Sequence, residues 1–213
     1  MVIRRRVIDM KTKLNLNIEI LLNNLNKNNM LAVFVEDREH ARLEVERLIR
    51  KGSSIAFGGS VTLNECGITH MMENGDYVIC DRSDKTAFFN ADYMLTSANA
   101  ITQDGILYNV DGASNRVAGI CYGPKKVIVV AGINKLVKDI DQAVLRLKHI
   151  SAPKNCVRLN RNTPCARTGK CISDDINKGC DSADRICCNY LISAKQREKD
   201  RISVIIVNEE LGF

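Results

Sequence analysis

Apolar positions recur along this chain with two periods, one helical and one strand-like. Over residues 7–28, Leu14, Ile18, Leu21, Leu22 and Leu25 follow at intervals of four, three, one and three, the spacing of a single helix face. A short apolar strand is predicted over 31–35. It is followed by a helix whose buried stripe is Ala41, Val45, Leu48 and Ile49, ended by Gly52. A strand over 54–57 runs into Gly58-Gly59-Ser60, and residues 62–72 then read as a helix that Gly75 stops. Further strands are expected over 77–80, 93–97, 106–109 and 127–131, before an amphipathic helix over 135–150 with Leu136, Ile140, Val144 and Leu147 on one side. Short apolar strands separated by helices predict an α/β fold, a mostly parallel sheet flanked by helices on both faces.

Pro153 is expected to end the last of these helices, because the residue before a proline is pushed out of the helical region. The pattern then changes. Residues 155–190 have little periodicity and are rich in Cys, Gly, Asn and Asp, too polar to form a core of their own. An apolar strand over 201–207 follows and should join or flank the sheet. The reading divides the chain into an N-terminal helical segment (1–30), an α/β core (31–152) and a Cys-rich appendage (153–213) whose final strand rejoins the core.

The composition is that of a globular protein: 213 residues, 45% hydrophobic and 26% charged. No apolar run approaches the roughly 20 residues of a membrane-spanning helix. Arg4-Arg5-Arg6 resembles the start of a secretory signal, but Asp9, Lys11, Lys13 and Asn15 stand where its apolar stretch should be. A cytoplasmic protein is expected. The net charge of +6 is terminal, with +4 in residues 1–30 and +3 in 151–213, around a middle that is nearly neutral. With no Trp and ten Phe and Tyr in all, the sequence lacks the basic, aromatic surface of a nucleic-acid binder. Neither nucleic acid nor a membrane is an expected partner.

Nine cysteines are present, six of them (Cys156, Cys165, Cys171, Cys180, Cys187 and Cys188) between 156 and 188. Without a secretory signal such a cluster reads as metal binding or redox chemistry rather than a disulfide framework. Four thiolates satisfy zinc or an iron-sulfur cluster, although neither zinc-ribbon nor ferredoxin spacing is present. The alternative is a set of reduced structural thiols. Cys66, Cys80 and Cys121 lie in apolar segments and are expected to pack. His40, His70 and His149 have no nucleophile or ligand spacing near them and read as structural or surface residues.

Polar chemistry gathers at strand ends. Gly58, Gly59 and Ser60 lie between a strand and a helix, a cradle for a phosphate or carboxylate at the carboxyl end of the sheet. Thr62 and Glu65 belong to the same stretch and also read as a helix-starting capping box. Asn99 sits in a polar turn, and Asp104-Gly105 reads as a hairpin. Asp111, Asn115 and Arg116 place a carboxylate, an amide and a guanidinium within six residues, enough to fix a small oxygen-rich substrate or simply to hold a turn. Asn134 and Lys135 stand at the start of the last core helix, with Lys135 expected at the rim of the same anion pocket.

Gly58-Gly59-Ser60-Val61-Thr62 with Glu65 and Gly67, Asp92 through Thr96-Ser97-Ala98-Asn99-Ala100, Asp111-Gly112 with Asn115-Arg116, Tyr122-Gly123-Pro124 and Gly132 with Asn134-Lys135 resemble, in order, the LUD (lactate utilization) family. The resemblance implies a fold like the NagB, RpiA and CoA-transferase superfamily, whose members take sugar phosphates, acyl-CoA or folates at the carboxyl ends of the strands. It also implies participation in lactate or related 2-hydroxy-acid metabolism with iron-sulfur redox partners. The tail resembles a longer branch of the family through Thr163-Pro164-Cys165, Thr168-Gly169-Lys170-Cys171 and Arg185-Ile186-Cys187. Cys165, Cys171, Cys180 and Cys187 are thus the candidate ligands of iron-sulfur or zinc. Eight residues separate Cys171 from Cys180, where a tighter pair is expected, so Cys188 or Cys156 stand as substitutes. No complete dinucleotide fingerprint is present, and no nucleotide cofactor is expected. Whether the chain turns over a substrate is left open, with a non-catalytic metabolite-binding or redox-sensing module as the alternative. A homo-oligomer is compatible with either.

Overall fold

The computed structural model describes residues 17–213, so Leu14 and Arg4-Arg5-Arg6 lie outside the described residues. The first described helix, α1 (Ile18–Lys27), is capped by the Asn17 side chain and buries Leu21 and Leu25. Strand β1 (Leu31–Val35) and helix α2 (Arg38–Leu48), capped by Asp37, come next, followed by β2 (Ser54–Phe57). The expected single helix over 62–72 is two short ones, α3 (Val61–Glu65) and α4 (Ile68–Asn74). Gly67 divides them, at a φ of 67° that glycine alone adopts without strain.

The chain continues through β3 (Val78–Ile79), α5 (Lys85–Phe89), β4 (Tyr93–Thr96), β5 (Ala100–Thr102), β6 (Leu107–Asp111), α6 (Asn115–Cys121) and β7 (Lys126–Gly132). A single 3-10 turn (Ile133–Lys135) and the short β8 (Leu136–Val137) occupy the stretch where the pattern predicts the start of the last core helix. That helix, α7 (Ile140–Arg146), starts five residues late behind an Asp139 cap. It also does not stop at Pro153. A π-helical segment (Leu147–Ser151) carries the chain into α8 (Ala152–Arg158), with Pro153 in the first turn. Proline's missing N–H breaks the regular bond ladder, and re-forming a helix just before it places that gap where no donor is needed. The tail adds α9 (Pro164–Thr168), β9 (Asn189–Ser193) and β10 (Ile202–Val207).

Six strands form one parallel sheet in the order β1-β10-β7-β4-β2-β3. The last strand of the chain lies inside it, between β1 and β7, with all its residues buried, as its unbroken run Ile-Ser-Val-Ile-Ile-Val requires. A second sheet, β8-β5-β6-β9, is mixed, and its β5–β6 hairpin turns at Asp104-Gly105. Neither β5 nor β9 is visible in the hydrophobic pattern. Strand alternation divides the core by face: Val127, Val129, Val204 and Ile206 pack with Leu21, Leu25 and Ile101, while Ile128, Val130 and Ile205 pack with Ala41, Val45, Ile68 and Met72. The carboxyl ends of the parallel strands are left for a ligand.

Among the described residues, no helix is long and apolar enough to cross a membrane. Cys66 and Cys80 are buried as expected, but Cys121, the last residue of α6, is exposed. His70 is exposed, His40 bonds its own helix cap Asp37 at 2.8 Å, and His149 meets Asp174 at 2.6 Å, tying the π segment to the tail.

Candidate functional site

A cavity of about 530 Å³ opens at the carboxyl ends of the sheet. Of the expected site residues, Gly59, Ser60, Asn99, Asp111, Asn115, Arg116 and Lys135 line it together. Gly58 does not. Its backbone packs against β4 so closely that a Cβ would lie 2.6 Å from Thr96 Oγ1, which explains the glycine by packing rather than by ligand contact.

Thr62, Glu65 and Asn134 are engaged elsewhere. Thr62 Oγ1 donates to the Leu211 carbonyl at 3.3 Å, and Glu65 accepts from the Gly212 amide at 2.6 Å. Asn134 bonds both Leu211 N and Gly212 O. Together they clasp residues 211–212 against the sheet, and this brings Phe213 into the cavity wall. Thr62 is therefore not a helix cap. That role falls to Ser60, whose Oγ accepts from Leu63 N at 3.2 Å. With only five residues, α3 has little dipole to offer an anion, so the attraction in this cavity comes from side chains.

Those side chains are mostly cationic. Arg82, Arg116, Lys135, Arg158, Arg161 and Arg185 line the cavity, against Asp111 and Asp184. Arg161 and Asp184 face each other at 3.8 Å, which leaves a clear positive excess. The Arg116 guanidinium donates to the carbonyls of Val110 at 2.5 Å and Gly59 at 3.4 Å, while its buried Nε has no partner. Asp111 bonds the Arg116 backbone rather than its guanidinium. Its carboxylate accepts from the Arg116 backbone N–H at 2.9 Å, replacing the cap that Ser114, in the left-handed region at φ 67°, cannot supply. Asn99 likewise turns its side chain to the fold, accepting from Val110 N at 2.8 Å.

Lys135 lies on the floor of the cavity rather than at its rim, only 3% exposed. Its ammonium donates to Thr62 Oγ1 at 2.7 Å and Ser97 Oγ at 2.8 Å, and no described carboxylate pairs with it. Burial, reinforced by the nearby Arg146 and Arg116 charges, pulls its pKa down to about 7. Arg146, 2% exposed, is a second buried cation held only by neutral oxygens: the Asn99 carbonyl, the Asn134 carbonyl at 2.9 Å and Ser151 Oγ at 2.7 Å. The π segment makes this last bond, since it sets Ser151 five residues beyond Arg146.

Behind this cavity lies a smaller one of about 10 Å³, where Cys165, Cys171, Cys180 and Cys187 meet Leu147, Ala152, Pro164 and Ile172. The four candidate ligands are thus brought around one void, and Leu147 and Ala152 from the long helix cover them. Cys156 stands beside them, its Sγ 3.7 Å from that of Cys165, while Cys188 is exposed and outside the group. Among the described residues, no three His, Cys, Asp or Glu side chains are arranged as a ready-made metal site. The two cavities share Leu147, Ala152 and Cys187. Arg185 spans them, donating to the carbonyls of Cys187 at 2.8 Å and Cys180 at 3.3 Å.

Three cavity arginines, Arg82, Arg158 and Arg161, together with Arg146 beneath, have no motif to mark them in the sequence, while Arg185 stands out there only as part of Arg185-Ile186-Cys187. The only signals are the positive excess of the tail and one charge set among the apolar positions of 135–150. Fold and cavity define a class: an α/β protein with a basic crevice at the carboxyl edge of a parallel sheet. The LUD domain family matches residues 18–207, and the chain belongs to it. Among solved structures, a DUF162 family protein from Deinococcus radiodurans is similar in fold, with a TM-score of 0.52 at 13% identity over 90% of this chain and 96% of that one. No curated protein matches the sequence.

Proposed function

We propose that this LUD-family protein serves lactate or related 2-hydroxy-acid metabolism by holding an anionic metabolite, a carboxylate or phosphate, in the basic cavity. The observation that carries this reading is the positive excess of the cavity lining, where Arg82, Arg116, Arg158, Arg161 and Arg185 stand against Asp111 and Asp184, with Arg116 Nε buried and without a hydrogen-bond partner. Burying unneutralised charge costs several kcal/mol, which a bound anion would offset. Titration calorimetry with pyruvate, L-lactate and inorganic phosphate tests it. Saturable binding of at least one, weakened roughly tenfold or more in Arg116→Ala, is expected on the scale of one charged hydrogen bond. Failure of all three to bind overturns the reading.

The thiol cavity is read as the seat of a metal centre, zinc or an iron-sulfur cluster, held by Cys165, Cys171, Cys180 and Cys187. The fit lies in donor chemistry: four soft sulfur ligands face one small void. Such a centre would supply either a structural cross-link or one-electron transfer, and in the latter case iron-sulfur proteins would be the partners. A cytoplasmic location accords with this. The redox-sensing alternative calls for accessible thiolates, whereas burial pushes Cys156 up to about 11 and raises Cys187 as well. Iron and zinc content of anaerobically prepared protein, with its visible spectrum, decides the question.

A further inference from the structure

We infer that Lys135 is a carbonyl-trapping amine, and that the basic cavity takes an aldehyde or ketone bearing a phosphate or carboxylate, which the amine holds as a reversible imine. The inference deepens the anion-binding reading and rests on it. Its geometry is specific. Lys135 Nζ lies on the cavity floor, and its two partners, Thr62 and Ser97, are hydroxyls that accept its protons without neutralising an ammonium. A lysine that serves by charge alone gains nothing from deep burial, because desolvation disfavours its protonated form. This one is buried among like charges: Arg116 and Arg146 both lie close enough to disfavour its protonation, while the opposing influences of Glu65 and Cys66 are smaller. The arginines supply the anion contacts, which leaves the amine free for a different task.

The chemistry balances without an oxidant or a second reactant. The uncharged amine adds its lone pair to the carbonyl carbon as the C–O π pair moves to oxygen. The resulting carbinolamine loses that oxygen together with the two amine protons as water, and a C=N bond remains. With a pKa of about 7, roughly half of the Lys135 population carries the needed lone pair at neutral pH, against well under 0.1% for an ordinary lysine. Thr62 and Ser97 hold the nitrogen in place throughout. The same features would disfavour a merely structural lysine, since one ion pair or a methionine would fill the position at lower cost.

The test uses the full-length protein and pyridoxal 5′-phosphate as an aldehyde-bearing phosphate, with sodium borohydride to fix any imine and peptide mass mapping to locate it. Lys135 should be labelled at pH 7 on the order of a hundredfold faster than the exposed Lys51, Lys138 and Lys170, and inorganic phosphate should suppress that labelling selectively. Labelling confined to surface lysines overturns the inference. If pyridoxal phosphate and inorganic phosphate still bind by calorimetry in that case, the anion cavity stands and only the amine role fails. If neither binds, both readings fall. Lys135→Met gives a second readout that needs no mapping: it should abolish the imine absorbance, and imine absorbance that survives the substitution would also refute the role.

Discussion

The two cavities share a wall yet are built in opposite ways. The basic one sits on the ends of β2, β4 and β6, so its floor is positioned by strands whose backbones are held in hydrogen-bonded ladders. The thiol-lined one is assembled from α9 and the irregular loops between residues 168 and 188, closed over the π segment. The floor of the first is imposed by the core, while Arg158, Arg161 and Arg185 in its wall come from the tail. The other depends on a tail of low apolar content, which pays its ordering entropy only when something staples it. The difference teaches where each site is vulnerable: the first through charge, the second through folding.

The largest effect is therefore expected at the thiol site. With the proposed metal bound there, removing it with a chelator, or making Cys165→Ser, should cost a large part of the roughly 10 kcal/mol scale of structural metal sites. Limited proteolysis should then cut within 160–188 while the sheet stays protected. An unchanged melting temperature after both treatments would dissolve the contrast, leaving ordinary buried thiols.

Arg146→Met is next. It strips the carbonyls of Asn99 and Asn134 of their shared donor and should cost about 2–4 kcal/mol in urea unfolding, since each buried acceptor left bare costs about 1–3. It should also raise the Lys135 pKa by removing a like charge. Arg116→Ala, by contrast, should leave metal content untouched and weaken anion binding by about 1.5–3 kcal/mol. Loss of metal in that variant would show that the two cavities cannot be separated.

The pH dependence of stability sharpens the charge argument. Lys135 has a folded pKa of about 7, below its unfolded value of 10.5, so between those limits the unfolded chain binds more protons. Stability of the ligand-free protein should then rise with pH from 7 to 10, by at most about 1.4 kcal/mol per pH unit relative to Lys135→Met. Parallel urea-derived pH curves for the two proteins would remove this assignment. The smallest effect is expected for Arg82→Ala, an exposed cation at the cavity edge, worth under about 1 kcal/mol of anion binding and diminishing with salt.

Much of this architecture is legible in the apolar pattern of the chain. The runs at 31–35, 54–57, 93–97, 127–131 and 201–207 are apolar on both faces, which is what a parallel strand covered by helices must be, and each is a strand of one sheet. Local chemistry likewise marks Gly59, Ser60, Asp111, Asn115 and Arg116, because turn-forming residues at strand ends are legible over a few positions. The four thiols are picked out by the family resemblance of the tail, since their spacing matches neither a zinc ribbon nor a ferredoxin.

What the chain alone does not reveal depends on distant partners. The strand β10 enters the middle of the sheet, so residues 209–212 arrive beside β7 and occupy Thr62, Glu65 and Asn134, which by motif look ready for substrate. Arg158 and Arg161 are ordinary basic residues in sequence, and only the folded tail brings them, with Arg185, around one cavity, while the π segment fixes Arg146 beneath it. Lys135 reads as a rim lysine at a helix start. A 3-10 turn and two hydroxyls from other elements put it on the floor instead. Patterning determines which segments are buried, because burial follows from local apolar content. Which charges end up buried together depends on long-range packing, and in this protein that packing places an amine with a depressed pKa among uncompensated arginines.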